Sequence, residues 1–268
     1  VAERLASVVV PDQVVALLPG NLGSLEVQRV LRDAGVTPSV VETATLPFGA
    51  RRAGAREVLV PVRAAHIPAA AVPGSSSDAV SVLADAIPGV EPASDVLDVA
   101  TLNLNAMIHP ALTVTNAGAI EHFETYDIHA QGTTPSTLRL IYAADRERIA
   151  VREALGYGPP HYEQETFYEA DRAAEGMYEP AARGLVAESK LWKERHGLDY
   201  RYLTEDVPYG LAVVIAAGRA VGVPTPVCAA IATLASTLLG RDLSERARTL
   251  ESVGLGGLDA QGIREALR

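Results

Sequence analysis

The sequence predicts an α/β layer followed by an all-helical domain, and three features predict it. Over residues 1–94, short β-branched runs alternate with stretches of helical apolar spacing. Aromatic residues are partitioned: Phe48 is the only Phe, Tyr or Trp before residue 95, whereas seven of the nine tyrosines fall between Tyr157 and Tyr209, together with Trp192. From residue 95 onward, capping residues, first-turn prolines and terminal glycines recur in mutually consistent positions. The compositional step places a boundary at 92–95, giving an α/β unit over 1–94 and an all-α unit over 95–268.

In the first unit, residues 14–18 form a strand-length apolar run closed by the turn Pro19-Gly20-Asn21. Leu22, Leu25, Val30 and Leu31 then follow at helical spacing over 22–34. Val40 and Val41 open another strand, 58–62 and 67–72 are further β-branched runs, and a helix is expected over 77–87 after Pro73-Gly74. Strand, helix, strand in this order implies a parallel sheet layer. In the second unit, Ser94 can cap a helix running from Asp95 towards His109, and Thr134-Pro135 begins one that lasts to about Gly156. A third starts near Pro180. Asp206 precedes Val207-Pro208 and a run to Ala220, and Thr225-Pro226 starts a helix that Gly240 stops. Ser244 and Asp259 can cap the last two.

The 268 residues are 48% hydrophobic and 21% charged, the balance of an ordinary globular protein. The net charge is −10 and no Lys/Arg cluster occurs, so a nucleic-acid partner, which needs a basic face, is not expected. The most apolar stretch, 211–239, is broken by Arg219, Pro224 and Pro226, so no membrane span is expected. The first residues show no basic-then-apolar leader, which makes the cytoplasm the expected address. Of the basic residues only Lys190 and Lys193 are lysines, a bias to which no function is attached. Cys228 sits in an apolar helical run and is expected to be buried rather than reactive.

Asn105 and His109 stand four apart on one predicted helix face, just before Pro110. A histidine there can give and take protons, or it can be an ordinary hydrogen-bonded one. The segment from Asp199 to Gly210 is dense in charges and phenols yet leads into an apolar helix. Within it, Asp206 can cap that helix, and Arg201 can be a surface ion pair or a bidentate clamp for a carboxylate. His122, Asp127 and His129, with Glu121 or Glu124, fit no familiar metal-ligand spacing, and no metal is expected. The tyrosine-rich stretch 157–178 suits a capping segment, a subunit contact or the amine side of a cleft.

The run from Asn103 to Pro110, followed by Thr115-Asn116-Ala117-Gly118, resembles the histidine segment of the octopine/nopaline (opine) dehydrogenases. The run from Arg201 to Gly210 is similar to that family's most distinctive motif. Leu17-Leu18-Pro19-Gly20, the segment from Glu42 to Pro47, Val223-Pro224-Thr225-Pro226 and Arg248-Thr249-Leu250-Glu251 extend the likeness along nearly the whole chain. The resemblance implies a partial Rossmann-type domain followed by an all-helical substrate domain of the 6-phosphogluconate-dehydrogenase-like plan. It also implies an NAD- or NADP-dependent reductive condensation of an amino acid, or other amine, with a 2-oxo acid such as pyruvate. His109 and Asp206 would be the catalytic pair, with Arg201, Asn105, Glu42 and Thr43 contacting substrate and Pro19, Gly20 and Asn21 near the cofactor. The small-molecule substrates are the implied partners, with a homodimer left open. The family's Gly-x-Gly-x-x-Gly turn is not found, so roughly 100 residues of a mononucleotide-binding half are expected to lie outside this chain, which alone should bind dinucleotide poorly. A related oxidoreductase of the 6-phosphogluconate or ketopantoate reductase type and a non-catalytic binding protein derived from the family are the alternatives.

Overall fold

The computed structural model describes residues 1–188, 193–194 and 197–268; Lys190 and Trp192 lie outside the described residues. After a one-turn helix α1 (Ala2–Leu5), strand β1 (Val14–Leu17) leads through the Pro19-Gly20-Asn21 turn into α2 (Gly23–Asp33) and β2 (Ser39–Thr43). β1 and β2 are parallel, with Val15 opposite Val40. The chain then forms a hairpin, β3 (Phe48–Arg52) and β4 (Val58–Arg63), which stands apart from that sheet. Strand β3 was not predicted, because Phe-Gly-Ala-Arg-Arg carries little β propensity. β5 (Ile67–Ala71) returns beside β2 in the antiparallel sense. After α3 (Ala79–Ala86), β6 (Val90–Pro92) pairs parallel with β5, giving the order β1-β2-β5-β6.

The expected parallel layer is therefore a mixed sheet. A parallel return needs a crossover connection, usually a helix. Here a hairpin occupies the link between β2 and β5, and the chain comes back in the opposite direction. Alternation along β2 divides its neighbours between the two faces. Val40 joins the main core with Leu22, Leu31, Leu97 and Met107, whereas Val41 packs with Ala69, Ala79 and Leu83.

Among the described residues, the rest of the chain is built of helices and turns, with one short two-stranded ladder. Helices α4 (Val96–Thr101), α5 (Asn105–Thr115) and α6 (Ala117–His122) precede β7 (Tyr126–Asp127), which pairs with β8 (Lys193–Glu194). Next come α7 (Pro135–Ala154), α8 (Glu165–Tyr168), α9 (Ala182–Glu188), α10 (Arg201–Thr204), a π-helical turn (Val207–Leu211), α11 (Ala212–Val221), α12 (Pro226–Leu239) and α13 (Ala260–Ala266). The single helix expected from residue 95 to His109 is in fact two. Asp95, not Ser94, caps α4 by accepting from the amides of Leu97 and Asp98. The Asn103 side chain then accepts from the Asn105 amide and starts α5 in a new direction. Pro110 lies inside α5, not at its end. Thr134 and Asp259 cap their helices as expected, and Gly240 ends α12 at φ 61°. Asp242 rather than Ser244 caps the 3₁₀ turn Leu243–Arg246. Cys228 is buried, and burial pushes its thiol pKa up, the setting of an inert cysteine. Among the described residues no helix is long and apolar enough to cross a membrane.

Candidate active site

The site is assembled where α5 meets the π-helical turn. Pro208 has no N–H with which to close an α-turn onto Thr204, and the backbone widens into the turn Val207–Leu211. Gly210 lets that turn approach α5: a Cβ there would stand 2.7 Å from the Ala106 Cβ. This close approach sets His109 against Asp206. The His109 Nδ1 lies 2.8 Å from the Asp206 Oδ2, and the two side chains are only 14% and 17% exposed. Asp206 makes no side-chain cap bond, so the capping role offered by its sequence position is not the one it plays.

A second restraint comes from α10. The Tyr202 ring stacks on the His109 imidazole at 3.8 Å between centroids and 15° between planes. The Tyr202 hydroxyl lies 2.9 Å from the His129 Nε2, and His129 meets His109 edge-on at 5.8 Å. His129 is held in turn by Asp127, whose carboxylate accepts from the amides of residues 129 and 130. The carboxylate of Asp206 thus sets the rotation of the imidazole, and Tyr202 sets its plane. With Nδ1 engaged, Nε2 is the nitrogen left for a ligand, and a carboxylate on Nδ1 favours the tautomer in which Nε2 accepts a proton.

A cleft of about 120 Å³ opens beside this histidine. The helical part lines it with Asn105, His109, His129, Arg201 and Tyr202, and the β3–β4 hairpin contributes Phe48, Arg51 and Val62. Three of the expected residues, Asn105, His109 and Arg201, therefore share one cleft. The Arg201 guanidinium lies 5.8 Å over the Tyr200 ring. His129, Tyr202 and Arg51 were not anticipated. Tyr202 lay within a recognised motif without a function, and neither His129 nor Arg51 had any spacing signal. Phe167 and Tyr178, from the tyrosine-rich stretch, form part of the opposite wall.

Glu42 and Thr43 are not brought to the cleft. Glu42 is fully buried beneath the start of α2, where it accepts from the amides of Leu22 and Ser24 and from the Ser24 hydroxyl at 2.5 Å. Thr43 is buried, its hydroxyl donating to the Thr45 carbonyl. The turn Pro19-Gly20-Asn21 is likewise spoken for. A side chain at Gly20 would collide with Glu42, the Asn21 side chain accepts from Asn103, and Arg248 donates to the Asn21 carbonyl while pairing with both oxygens of Glu26. Glu42, Thr43 and the Pro19-Gly20-Asn21 turn thus lie at a junction between the sheet and the C-terminal tail, apart from the cleft that holds His109. A helix N-terminus is a natural phosphate site. Here an internal carboxylate already fills it, so the turn does not fit a pyrophosphate.

Burial, the largest influence, raises the Glu42 pKa from an ordinary 4.5 to about 7, against the downward pull of its hydrogen bonds and of Arg248. A carboxyl whose pKa is raised by folding binds its proton more tightly in the folded chain. Stability should therefore fall as pH rises from about 4.5 towards 7, the interval given by those values. Glu42→Gln, which keeps an acceptor for the α2 amides, is expected to flatten that decline in urea titrations across the interval. An unchanged slope in the variant would show that Glu42 does not titrate there.

Residues 92–239 match the family model of the NAD/NADP octopine/nopaline dehydrogenase α-helical domain. An opine dehydrogenase of Arthrobacter sp. (strain 1C) is 32% identical over 280 residues, covering 100% of this chain and 75% of that protein. The chain belongs to the opine dehydrogenase family. Protein ocs of Agrobacterium vitis is 28% identical over 276 residues, covering 100% of this chain and 74% of that protein. Among solved structures, octopine dehydrogenase in complex with NADH and agmatine superposes with a TM-score of 0.71 at 19% identity, covering 100% of this chain and 75% of that one. Yersinopine dehydrogenase with NADP⁺ bound gives 0.55 at 14%, covering 95% and 71%. The fold is that of a partial Rossmann-type layer joined to a helical domain. As a member of the opine dehydrogenase family the protein is an oxidoreductase that uses a nicotinamide cofactor.

Proposed function

We propose that the protein joins the nitrogen of an amino acid to a 2-oxo acid such as pyruvate and reduces the resulting imine to a secondary-amine dicarboxylate, with NAD(P)H supplying the hydride. The observation that carries this reading is the 2.8 Å pairing of His109 with Asp206, set in a cleft that also holds Arg201. Nε2 of His109 takes a proton from the substrate ammonium, freeing the nitrogen lone pair to attack the oxo carbon. The same imidazolium, stabilised by Asp206, then gives its proton to the carbinolamine hydroxyl, which leaves as water. Arg201 holds the oxo-acid carboxylate through a bidentate contact, and Asn105, one helical turn from His109, offers hydrogen bonds to the polar intermediate. Hydride addition to the iminium carbon completes the secondary amine. Residues 1–94 and 95–268 form the two sides of this arrangement.

The test is NADH and NADPH consumption by the full-length protein with pyruvate and a panel of amino acids. Turnover that requires both the oxo acid and the amine supports the reading; oxidation of either cofactor by the oxo acid alone points instead to a simple keto-acid reductase. Arg201→Met is expected to raise the KM for pyruvate by about 100-fold, the loss of a charge-assisted bidentate contact. An unchanged KM would remove Arg201 from the site.

A further inference from the structure

His109 and Asp206 sit on different elements, and both elements are tied to the same turn at the end of β1. On the histidine side, the Asn21 side chain accepts from the Asn103 side-chain amide at 2.8 Å. The Asn103 side chain in turn starts α5, the helix that carries His109. On the aspartate side the tie is Arg248. Its backbone N–H donates to the Pro208 carbonyl at 2.8 Å, two residues beyond Asp206, and its guanidinium lies 5.0 Å from the centre of the Tyr209 ring. The same guanidinium reaches back to the sheet layer. One N–H donates to the Asn21 carbonyl at 2.9 Å, and two others form a fork on the Glu26 carboxylate of α2, each at 3.0 Å. The Arg248 side chain is largely buried in this junction, at 12% exposure.

Resting on the proposed reaction, we infer that Arg248 is a positioning residue for the His109–Asp206 pair, holding the aspartate at its distance from the imidazole by pinning the π-helical turn to the β1–α2 turn. The turn that carries Asp206 has little of its own to fix it. The Asp206 side chain makes no cap bond, and Pro208 has no N–H with which to close the turn. Gly210 against Ala106 fixes the far end of the turn, and the Arg248 amide on Pro208 fixes its middle. A guanidinium fork sets direction as well as distance, so the tail that presents this amide is itself held in one orientation. Both ties end on Asn21, one on its side chain and one on its carbonyl. Any shift of that turn therefore carries α5 and the π-helical turn together and keeps the pair in register. Once Arg248 is cut away, the turn is free to move against α5, and a displacement of about 1 Å at a reacting group can cost about 100-fold in rate. Arg248 does not line the cleft, so its influence passes through Asp206.

The experiment is steady-state turnover by the full-length protein with pyruvate, its preferred amine and its preferred nicotinamide cofactor, measured well below the unfolding temperature. Arg248→Met, which keeps the length of the side chain and removes the fork, is expected to lower kcat by about 100-fold while each KM stays within about threefold. In an Asp206→Asn background the same substitution should cost less than about threefold, because the carboxylate it positions is already gone. A purely structural role would leave kcat of the folded variant unchanged, or would cost as much in that background as in the wild type; either result overturns the inference. Arg264→Met serves as the control. It cuts another tie of the tail, the 2.6 Å bond to the Leu155 carbonyl, and should leave kcat within about twofold of wild type. An equal fall in kcat there would mean that any loosening of the tail suffices, and Arg248 would have no special part. If Arg248→Met does not fold, Glu26→Gln weakens the same fork from its exposed side and should lower kcat about fivefold, again with KM unmoved; a wild-type kcat there overturns the inference. Should Asp206→Asn itself turn over at the wild-type rate, the proton chemistry fails and this inference with it, whereas a silent Arg248 beside a crippling Asp206→Asn sinks the inference alone.

Discussion

His109→Ala is expected to lower kcat by about 10³-fold, within the 10²–10⁴-fold range of a positioned general acid–base group. Asp206→Asn should lower it by a similar factor, although the asparagine fills the same space. The amide can still meet Nδ1, but it has no charge to stabilise the imidazolium and can itself hold a proton towards the ring, selecting the wrong tautomer. Because the two act as one unit, the double variant should be no slower than the slower single one. The pair is 2.8 Å apart and largely shielded from solvent, so salt should do little to weaken it. Steady-state kcat and kcat/KM with saturating pyruvate and amine are the quantities to compare. An Asp206→Asn enzyme within a few-fold of wild type would mean that the carboxylate is a structural partner only, and the proton chemistry would have to be reassigned, with His129 the next imidazole in the cleft.

How much of this could be read from the chain depends on whether the signal was local. Caps are local: Thr134, Asp259 and Gly240 each act within a turn or so of their own position, and each was legible. The sheet order was not, because the direction of β5 depends on what fills residues 44–66, and Phe-Gly-Ala-Arg-Arg does not announce a strand. The helical face shared by Asn105 and His109 followed from spacing. Their partner Asp206 did not, because the 97 residues between His109 and Asp206 leave no periodicity to read, and only the family likeness connected them. Local chemistry even favoured a competing role for Asp206 as a cap. The deciding features were Pro208, which cannot close the α-turn, and Gly210, which admits Ala106; both are plain in the sequence, but neither reveals its neighbour. Glu42 illustrates the converse. Its motif suggested a substrate contact, while the fold uses its carboxylate to satisfy the start of α2.

The largest stability effect is expected far from the cleft, on the inner face of α7. Asp145, Arg148 and Arg152 are spaced like a solvated charged stripe, yet Arg148 is 0% and Arg152 1% exposed. Arg148 spends every arm of its guanidinium: on Asp145 at 2.6 Å, on the Thr101 carbonyl at 2.9 Å and on the His161 carbonyl at 2.8 Å. It thereby ties α4 and the segment before α8 to α7. Arg152 pairs with Asp98 at 2.9 Å, and burial together with the neighbouring Arg148 lowers its pKa to about 10. Arg148→Met keeps the bulk but leaves the Asp145 carboxylate buried without its cation, and the expected loss is about 3–5 kcal/mol in urea unfolding. Adding Asp145→Asn should restore much of that loss, since the neutral amide oxygen can still accept from the Gln164 amide, now 2.8 Å from the carboxylate. By contrast Arg172→Ala, which breaks exposed pairs with Glu163 and Glu175, should cost about 0–1 kcal/mol. If Arg148→Met lost no more than Arg172→Ala, the buried pair would not be what joins these helices, and the apolar contacts around Leu97, Ile141 and Leu155 would have to carry the junction.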